Sequence, residues 1–186
     1  MTLSRKETFT VSNFLSFARL LLAIPLWFLL DDIESVNDKV IFVILAIIAI
    51  ITDFLDGYFA RRKNEITEVG KILDPIADKI VVGVVVVKLF ITGRIAEYFF
   101  FIIIGRDILI FLGGILLSSK LGKVLPSNML GKITVTVLAL LLMLIVLNFE
   151  RSNLFFQTLY YSTLILIVVS FVAYVIRAIE FVNKNN

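Results

Sequence analysis

The sequence contains no cysteine and no histidine. The first absence removes disulfides, thiolate metal sites and cysteine nucleophiles. The second removes the side chain that most often moves protons near neutral pH. Proton transfer therefore falls to carboxylates, lysine, tyrosine or water, and any metal must be held by oxygen, which suits Mg²⁺, Mn²⁺ or Ca²⁺ rather than Zn²⁺. Charge is also scarce. Charged residues are 18% of the 186, too few for a disordered chain or a coiled coil. The net charge is only +3, with no basic surface interleaved with aromatics, so nucleic acid is not expected as a partner. No repeat of solenoid or propeller period is visible.

What is abundant is apolar: 60% of the residues are hydrophobic and the mean hydropathy is +1.02. A chain of this length with that composition is expected to be an all-α polytopic membrane protein forming one domain over residues 1–186. Six stretches reach the roughly 20 apolar residues that a spanning helix needs: residues 12–30, 40–60, 72–92, 95–118, 130–149 and 154–176. The first is not a cleavable signal, because its apolar run is long, Arg19 interrupts it and no small-residue cleavage site follows.

The connections differ in charge. Asp31, Asp32, Glu34 and Asp38 follow the first stretch, whereas Arg5 and Lys6, then Arg61, Arg62, Lys63 and Lys71, then Lys120 and Lys123, and finally Arg177 and Lys184 mark the other side. By the positive-inside rule the basic connections and both termini are expected in the cytoplasm. Trp27, Tyr160 and Tyr161 fit either interfacial belts or core packing.

Within this apolar chain, four carboxylates fall in 26 residues: Asp53, Asp56, Asp74 and Asp78. Each ionisable group at membrane depth costs about 2.5–3.5 kcal/mol on the mildest scale. Pairing with Arg61, Arg62, Lys71 or Lys79 is one way to offset that cost. The spacing points further. Asp53 and Asp56 are three apart, Asp74 and Asp78 four apart, so each pair lies on one helical face. Two antiparallel helices joined by a short turn would bring the faces together into an oxygen-only site for one or two hard divalent cations. Gly57, Ala60 and Gly70 leave room beside the acidic residues, and Arg61 is a fork suited to phosphate.

The segment reads Asp53-Phe-Leu-Asp56-Gly57-Tyr-Phe-Ala60-Arg61, then eight residues to Gly70, three to Asp74 and three to Asp78. These eight specified positions resemble the signature of the CDP-alcohol phosphatidyltransferases, and the six-span layout is similar across nearly the whole chain. The resemblance implies an enzyme of phospholipid biosynthesis in which an alcohol hydroxyl displaces CMP from CDP-diacylglycerol, with two divalent cations, Mg²⁺ or Mn²⁺. It implies metal ligation by Asp53, Asp56, Asp74 and Asp78, with Asp78 also the general base. Gly57, Ala60, Arg61, Thr67 and Gly70 would line the CDP-lipid site. Asn13 and Ser16, in Ser-Asn-Phe-Leu-Ser-Phe-Ala-Arg19, resemble the family's opening Asn-x-x-Thr-x-x-Arg stretch near the nucleotide, with Ser in place of Thr; a helix N-cap at Ser12 or Asn13 is the alternative.

The acceptor must be read elsewhere. Gly105-Arg106-Asp107 resembles the Gly-Arg-Glu of the phosphatidylglycerophosphate synthase branch, and Gly131-Lys132 resembles its Gly-Lys-x-Lys-Thr segment, with Thr134 at the second Lys. On this resemblance Arg106 and Lys132 bind the phosphate of sn-glycerol 3-phosphate. Neutralisation of Arg106 by Asp107 or Asp78 is the competing reading, and inositol phosphate, phosphatidylglycerol and serine are the other acceptors considered. The resemblance further implies a homodimer, and with the topology it places the chain in a bacterial cytoplasmic membrane, with the site facing the cytoplasm. A divalent-cation transporter is the distant alternative. It predicts acidic groups near the midplane, whereas these cluster near the cytoplasmic ends of two spans. Helix pairing or snorkelling is expected of Lys79, Lys88, Glu97 and Asp107, close helix packing of Gly113-Gly114, and either a first-turn position or a kink of Pro75.

Overall fold

A computed structural model describes residues 10–31, 33–63, 68–121 and 129–185. Six helices occupy nearly all of them: α1 (Val11–Leu29), α2 (Val36–Lys63), α3 (Glu68–Ile91), α4 (Glu97–Leu121), α5 (Met129–Val146) and α6 (Leu154–Asn185). No strand occurs among the described residues. Five of the six helices are long and apolar enough to cross a membrane. The exception is α3, whose apolar run is interrupted by Lys71, Asp74, Asp78, Lys79 and Lys88. Apolar side chains such as Phe14, Phe54, Leu116 and Ile165 are largely exposed. Exposed apolar surface on this scale suits lipid rather than water.

Local chemistry sets the helix ends. Thr10, in extended conformation, caps α1 by accepting a bond from the Asn13 amide at 3.2 Å, so the cap lies two to three residues earlier than Ser12 or Asn13. Those two residues are inside the first turn instead. Ser35 accepts from the Asp38 amide at 3.0 Å to open α2, and Asn153 accepts from the Phe155 amide at 2.8 Å to open α6. Gly93, at φ +68°, follows α3, and Asn148, at φ 56°, follows α5. Both take the left-handed turn that releases a helix C-terminus, and asparagine is the non-glycine residue that tolerates it best. Because α3 already begins at Glu68, Pro75 lies about two turns inside it. The first-turn reading is therefore replaced: the proline removes one interior backbone hydrogen bond next to Asp74.

The chain divides into two compact units, Met1–Thr92 and Gly93–Asn186. In the first, α1 packs against both α2 and α3, over a core of Leu26, Leu30, Ile33, Ala77, Val86 and Leu89. The buried Lys88 of α3 pairs with Asp31, just beyond α1, and lies 4.5 Å from the Trp27 ring centroid. The helix pairing expected of Lys88 is thus present, and Trp27 supplies a cation–π face to it. In the second unit, α6 packs against α4 and α5 around Phe99, Ile103, Leu141, Val146 and Ile167. Tyr160 stacks on Phe99 with ring centroids 5.0 Å apart and shares a 2.5 Å hydrogen bond with Tyr98. The Tyr174 hydroxyl donates to the Ile110 carbonyl at 3.1 Å, and a side chain at Gly113 would meet that hydroxyl oxygen at 3.1 Å. Gly113 therefore does admit α6 closely, as its lack of a side chain suggested.

Candidate active site

In the first unit, helical periodicity puts Asp53 and Asp56 on one face of α2, and Asp74 and Asp78 on one face of α3. Carboxylate oxygens of Asp53, Asp56 and Asp74 lie within 4.8 Å of one another. Asp78 stands outside that trio but shares its cation. The α1 residue Arg19 places Nη1 3.0 Å from Asp53 Oδ1 and 3.1 Å from Asp74 Oδ1, and the same nitrogen contacts Asp78. Its Nη2 contacts Asp56. One guanidinium thus reaches all four aspartates. Arg19 is 2% exposed, Asp56 is equally buried, and the other three carboxylates are about half exposed.

Two serines of α1 complete this side of the cluster. Ser16 Oγ lies 3.3 Å from Asp56 Oδ2 and donates to it, and Ser12 Oγ donates to the Asp56 carbonyl at 3.1 Å. Residues 12, 16 and 19 follow the i, i+4, i+7 spacing of a single helical face, so α1 lays a polar stripe against the acidic pairs. Arg19 is the residue that sequence reasoning left without a role. The signal was there in the one-face spacing of Ser12, Ser16 and Arg19 in a mostly apolar helix and in the place of Arg19 at the end of the Asn-x-x-Thr-x-x-Arg stretch, but nothing local connects it with aspartates 34 to 59 positions downstream.

The other expected ligand-binding residues are placed as follows. Asn13 is buried one turn before Arg19's own turn, and Ser16 is directed at Asp56. Gly57 follows Asp56 on α2, and Gly70 lies one turn before Asp74 on α3; both are half-buried. Ala60 and Arg61 belong to the last turns of α2, with side chains outside the described set, and Thr67 lies outside the described residues.

The donor set fits hard divalent cations. Three carboxylates converge, the chain has no histidine or cysteine to supply a nitrogen or thiolate ligand, and among the described residues one guanidinium faces four carboxylates.

In the second unit, Arg106 on α4 is 12% exposed at its side chain and pairs with Asp107 at 2.6 Å. Its Nη2 donates to Ser170 Oγ on α6 at 3.2 Å, and its Nε has no hydrogen-bond partner among the described residues. A side chain at Gly131 would stand 3.6 Å from Arg106 Nη2, so α5 brings bare backbone beside the guanidinium. The adjacent Lys132 is exposed. Thr134, where a lysine was the comparison, is 1% exposed. Its hydroxyl lies 2.7 Å from the Leu130 carbonyl and 3.2 Å from that of Leu166. It ties α5 to α6, a position in which a lysine ammonium would have to be buried.

Known proteins resemble this chain along most of its length. The chain is 35% identical to a CDP-diacylglycerol–glycerol-3-phosphate 3-phosphatidyltransferase of Aquifex aeolicus over 181 residues, covering 94% of this chain and 98% of that one. It is 36% identical to the protein of the same name from Rickettsia bellii over 148 residues, 79% of this chain and 80% of that one. The like-named Bacillus subtilis protein is 41% identical over 90 residues, 48% of this chain and 46% of that one. The pattern that defines the CDP-alcohol phosphatidyltransferases matches residues 9–176, which takes in both units and every aspartate of the cluster. The chain belongs to the CDP-alcohol phosphatidyltransferase family.

Proposed function

We propose that this chain transfers the phosphatidyl group of CDP-diacylglycerol to sn-glycerol 3-phosphate and releases CMP. The observation that carries the reading is the convergence of Asp53, Asp56, Asp74 and Asp78 on one buried cation, in a family member whose relatives bear that activity in their names.

Asp53, Asp56, Asp74 and Asp78 are the residues that would hold two divalent cations, Mg²⁺ or Mn²⁺, and bound cations would neutralise the diphosphate and the departing CMP. Asp78, half exposed beside the trio, is the general base. It takes the proton of the acceptor hydroxyl as that oxygen forms a bond to the phosphorus bearing diacylglycerol, and the bond from that phosphorus to the CMP oxygen breaks. Asn13, Ser16, Gly57, Ala60, Arg61, Thr67 and Gly70 are assigned to the CDP-lipid side. Of these, Gly57 and Gly70 are half-buried, next to Asp56 on α2 and one turn before Asp74 on α3, and carry no side chain of their own. Arg106 and Lys132 are assigned to the acceptor phosphate: the Nε of Arg106, without a hydrogen-bond partner among the described residues, is a donor in need of an oxygen, and an anion exchanged for Asp107 would keep the arginine neutralised. Five apolar helices and the charge asymmetry of the connections support a membrane location with the site on the cytoplasmic face, the bacterial relatives support a bacterial cytoplasmic membrane, and the homodimer is assigned on family membership alone.

Purified protein with CDP-diacylglycerol and Mg²⁺ is expected to release CMP with glycerol 3-phosphate, to stop when EDTA is added, and to resume with Mg²⁺ or Mn²⁺. Release with inositol phosphate, serine or phosphatidylglycerol instead would overturn the acceptor and leave the reaction class standing. Release unaffected by EDTA would overturn the metal-dependent mechanism.

A further inference from the structure

Arg19 is placed where a simple helix-stabilising residue has no reason to be. Its guanidinium is buried, yet it reaches carboxylates on two other helices, and the oxygens it holds at Asp53, Asp56 and Asp74 belong to the trio that fits a divalent cation. Four carboxylates with no cation would repel one another across these short distances. Equally, an arginine this buried would be costly without them. Each side of the cluster therefore requires the other. Three of the aspartates are also about half exposed, so an arriving ion meets the cluster from its exposed side while Arg19 holds it from the buried side. Asp56 has a second anchorage in Ser12 and Ser16, and Arg19 Nε has no hydrogen-bond partner among the described residues. Among the described residues, the polar contacts of the guanidinium are all with carboxylates.

We infer that Arg19 is the resident counter-cation of the aspartate cluster: it gathers the four carboxylates when no divalent ion is bound, and it competes with that ion for their oxygens. Arg19 is thus a positioning residue that sets the affinity of the site for metal. The inference rests on the reading of Asp53, Asp56 and Asp74 as metal ligands. It makes a prediction opposite in sign to that of a merely structural arginine. Loss of a structural arginine loosens the site and weakens metal binding, whereas loss of a competing charge strengthens it.

The test uses full-length protein in detergent, freed of metal with EDTA, and reads Mn²⁺ binding by electron paramagnetic resonance together with thermal unfolding. For Arg19→Gln, Mn²⁺ is expected to bind at least about tenfold more tightly than to the wild type, the expected direction for removing a unit charge a few ångströms away. The metal-free variant is expected to melt at lower temperature than the wild type, and Mn²⁺ is expected to raise that temperature by more than it does for the wild type. Arg19→Lys keeps the charge but reaches fewer carboxylates with a single ammonium, so its Mn²⁺ affinity should fall between the two. If Arg19→Gln does not fold, Arg19→Lys decides the matter by the same comparison. Mn²⁺ binding equal to or weaker than wild type in the folded variant overturns the inference. Asp53→Asn separates this result from the underlying reading: unchanged Mn²⁺ binding in Asp53→Asn overturns the metal site itself, while weakened binding there, with no tightening at Arg19, overturns only the role of Arg19.

Discussion

Among the described residues, Arg19 in the first unit is buried and Arg106 in the second is largely buried, and the two are neutralised in different ways. Arg19 is outnumbered, with four carboxylates from two helices around a single guanidinium. Arg106 is matched, with one carboxylate from the next residue in the chain and one hydroxyl from α6. Each keeps an Nε without a hydrogen-bond partner among the described residues. The difference in charge balance separates their chemistry. A cluster in which carboxylates outnumber the guanidinium suits a further cation, whereas a one-to-one pair offers an anion a donor fork if the local carboxylate is exchanged for it. A burial pattern that looks alike in sequence, arginine in an apolar run, thus supports opposite ligand charges.

The comparison breaks most sharply at Asp78. Asp78→Asn preserves volume and leaves Arg19 three charged partners, so the protein should stay folded, while loss of the base should lower CMP release by roughly 10²–10⁴-fold. Measured turnover near the wild-type value would remove Asp78 from the proton-transfer role. On the other side, Arg106→Ala should raise KM for glycerol 3-phosphate by roughly 10- to 100-fold, the range of a charge-assisted hydrogen bond, with little change in KM for CDP-diacylglycerol. Equal effects on both substrates would make Arg106 a packing residue and erase the contrast with Arg19. The smallest effect concerns only the scaffold around Arg106. Gly113→Ala sets a methyl group 3.1 Å from the Tyr174 hydroxyl and should cost about 1 kcal/mol of stability, visible as a lower melting temperature with KM values unchanged. A shift in acceptor KM instead would show that α4–α6 packing reaches the arginine.

Much of the candidate site was legible because its signals are local. Asp53 with Asp56, and Asp74 with Asp78, declare their shared faces through helical periodicity alone, and apolar run length marks the helices to within a turn at most ends. The remainder was not legible for equally physical reasons. Thr10 rather than Ser12 or Asn13 caps α1, since several adjacent residues had suitable oxygens and only the backbone conformation selects one. Thr134 looked like a departure from an expected lysine, and its burial against the Leu166 carbonyl depends on how α5 meets α6. Lys88 could be read as snorkelling until Asp31 and the Trp27 ring were found beside it.

The sequence by itself determined the solvent, the helices, the acidic pairs and the oxygen-only character of any metal site, because composition and periodicity act over a few residues at a time. Tertiary structure alone decided that α1 stands against both acidic helices, that Ser12, Ser16 and Arg19 form the wall of the cluster, and that one buried guanidinium serves four aspartates. The physical reason is distance along the chain. A helix settles its own faces through neighbours three and four residues away, whereas the partner of a buried charge is chosen by which faces pack together, and no local pattern carries that choice.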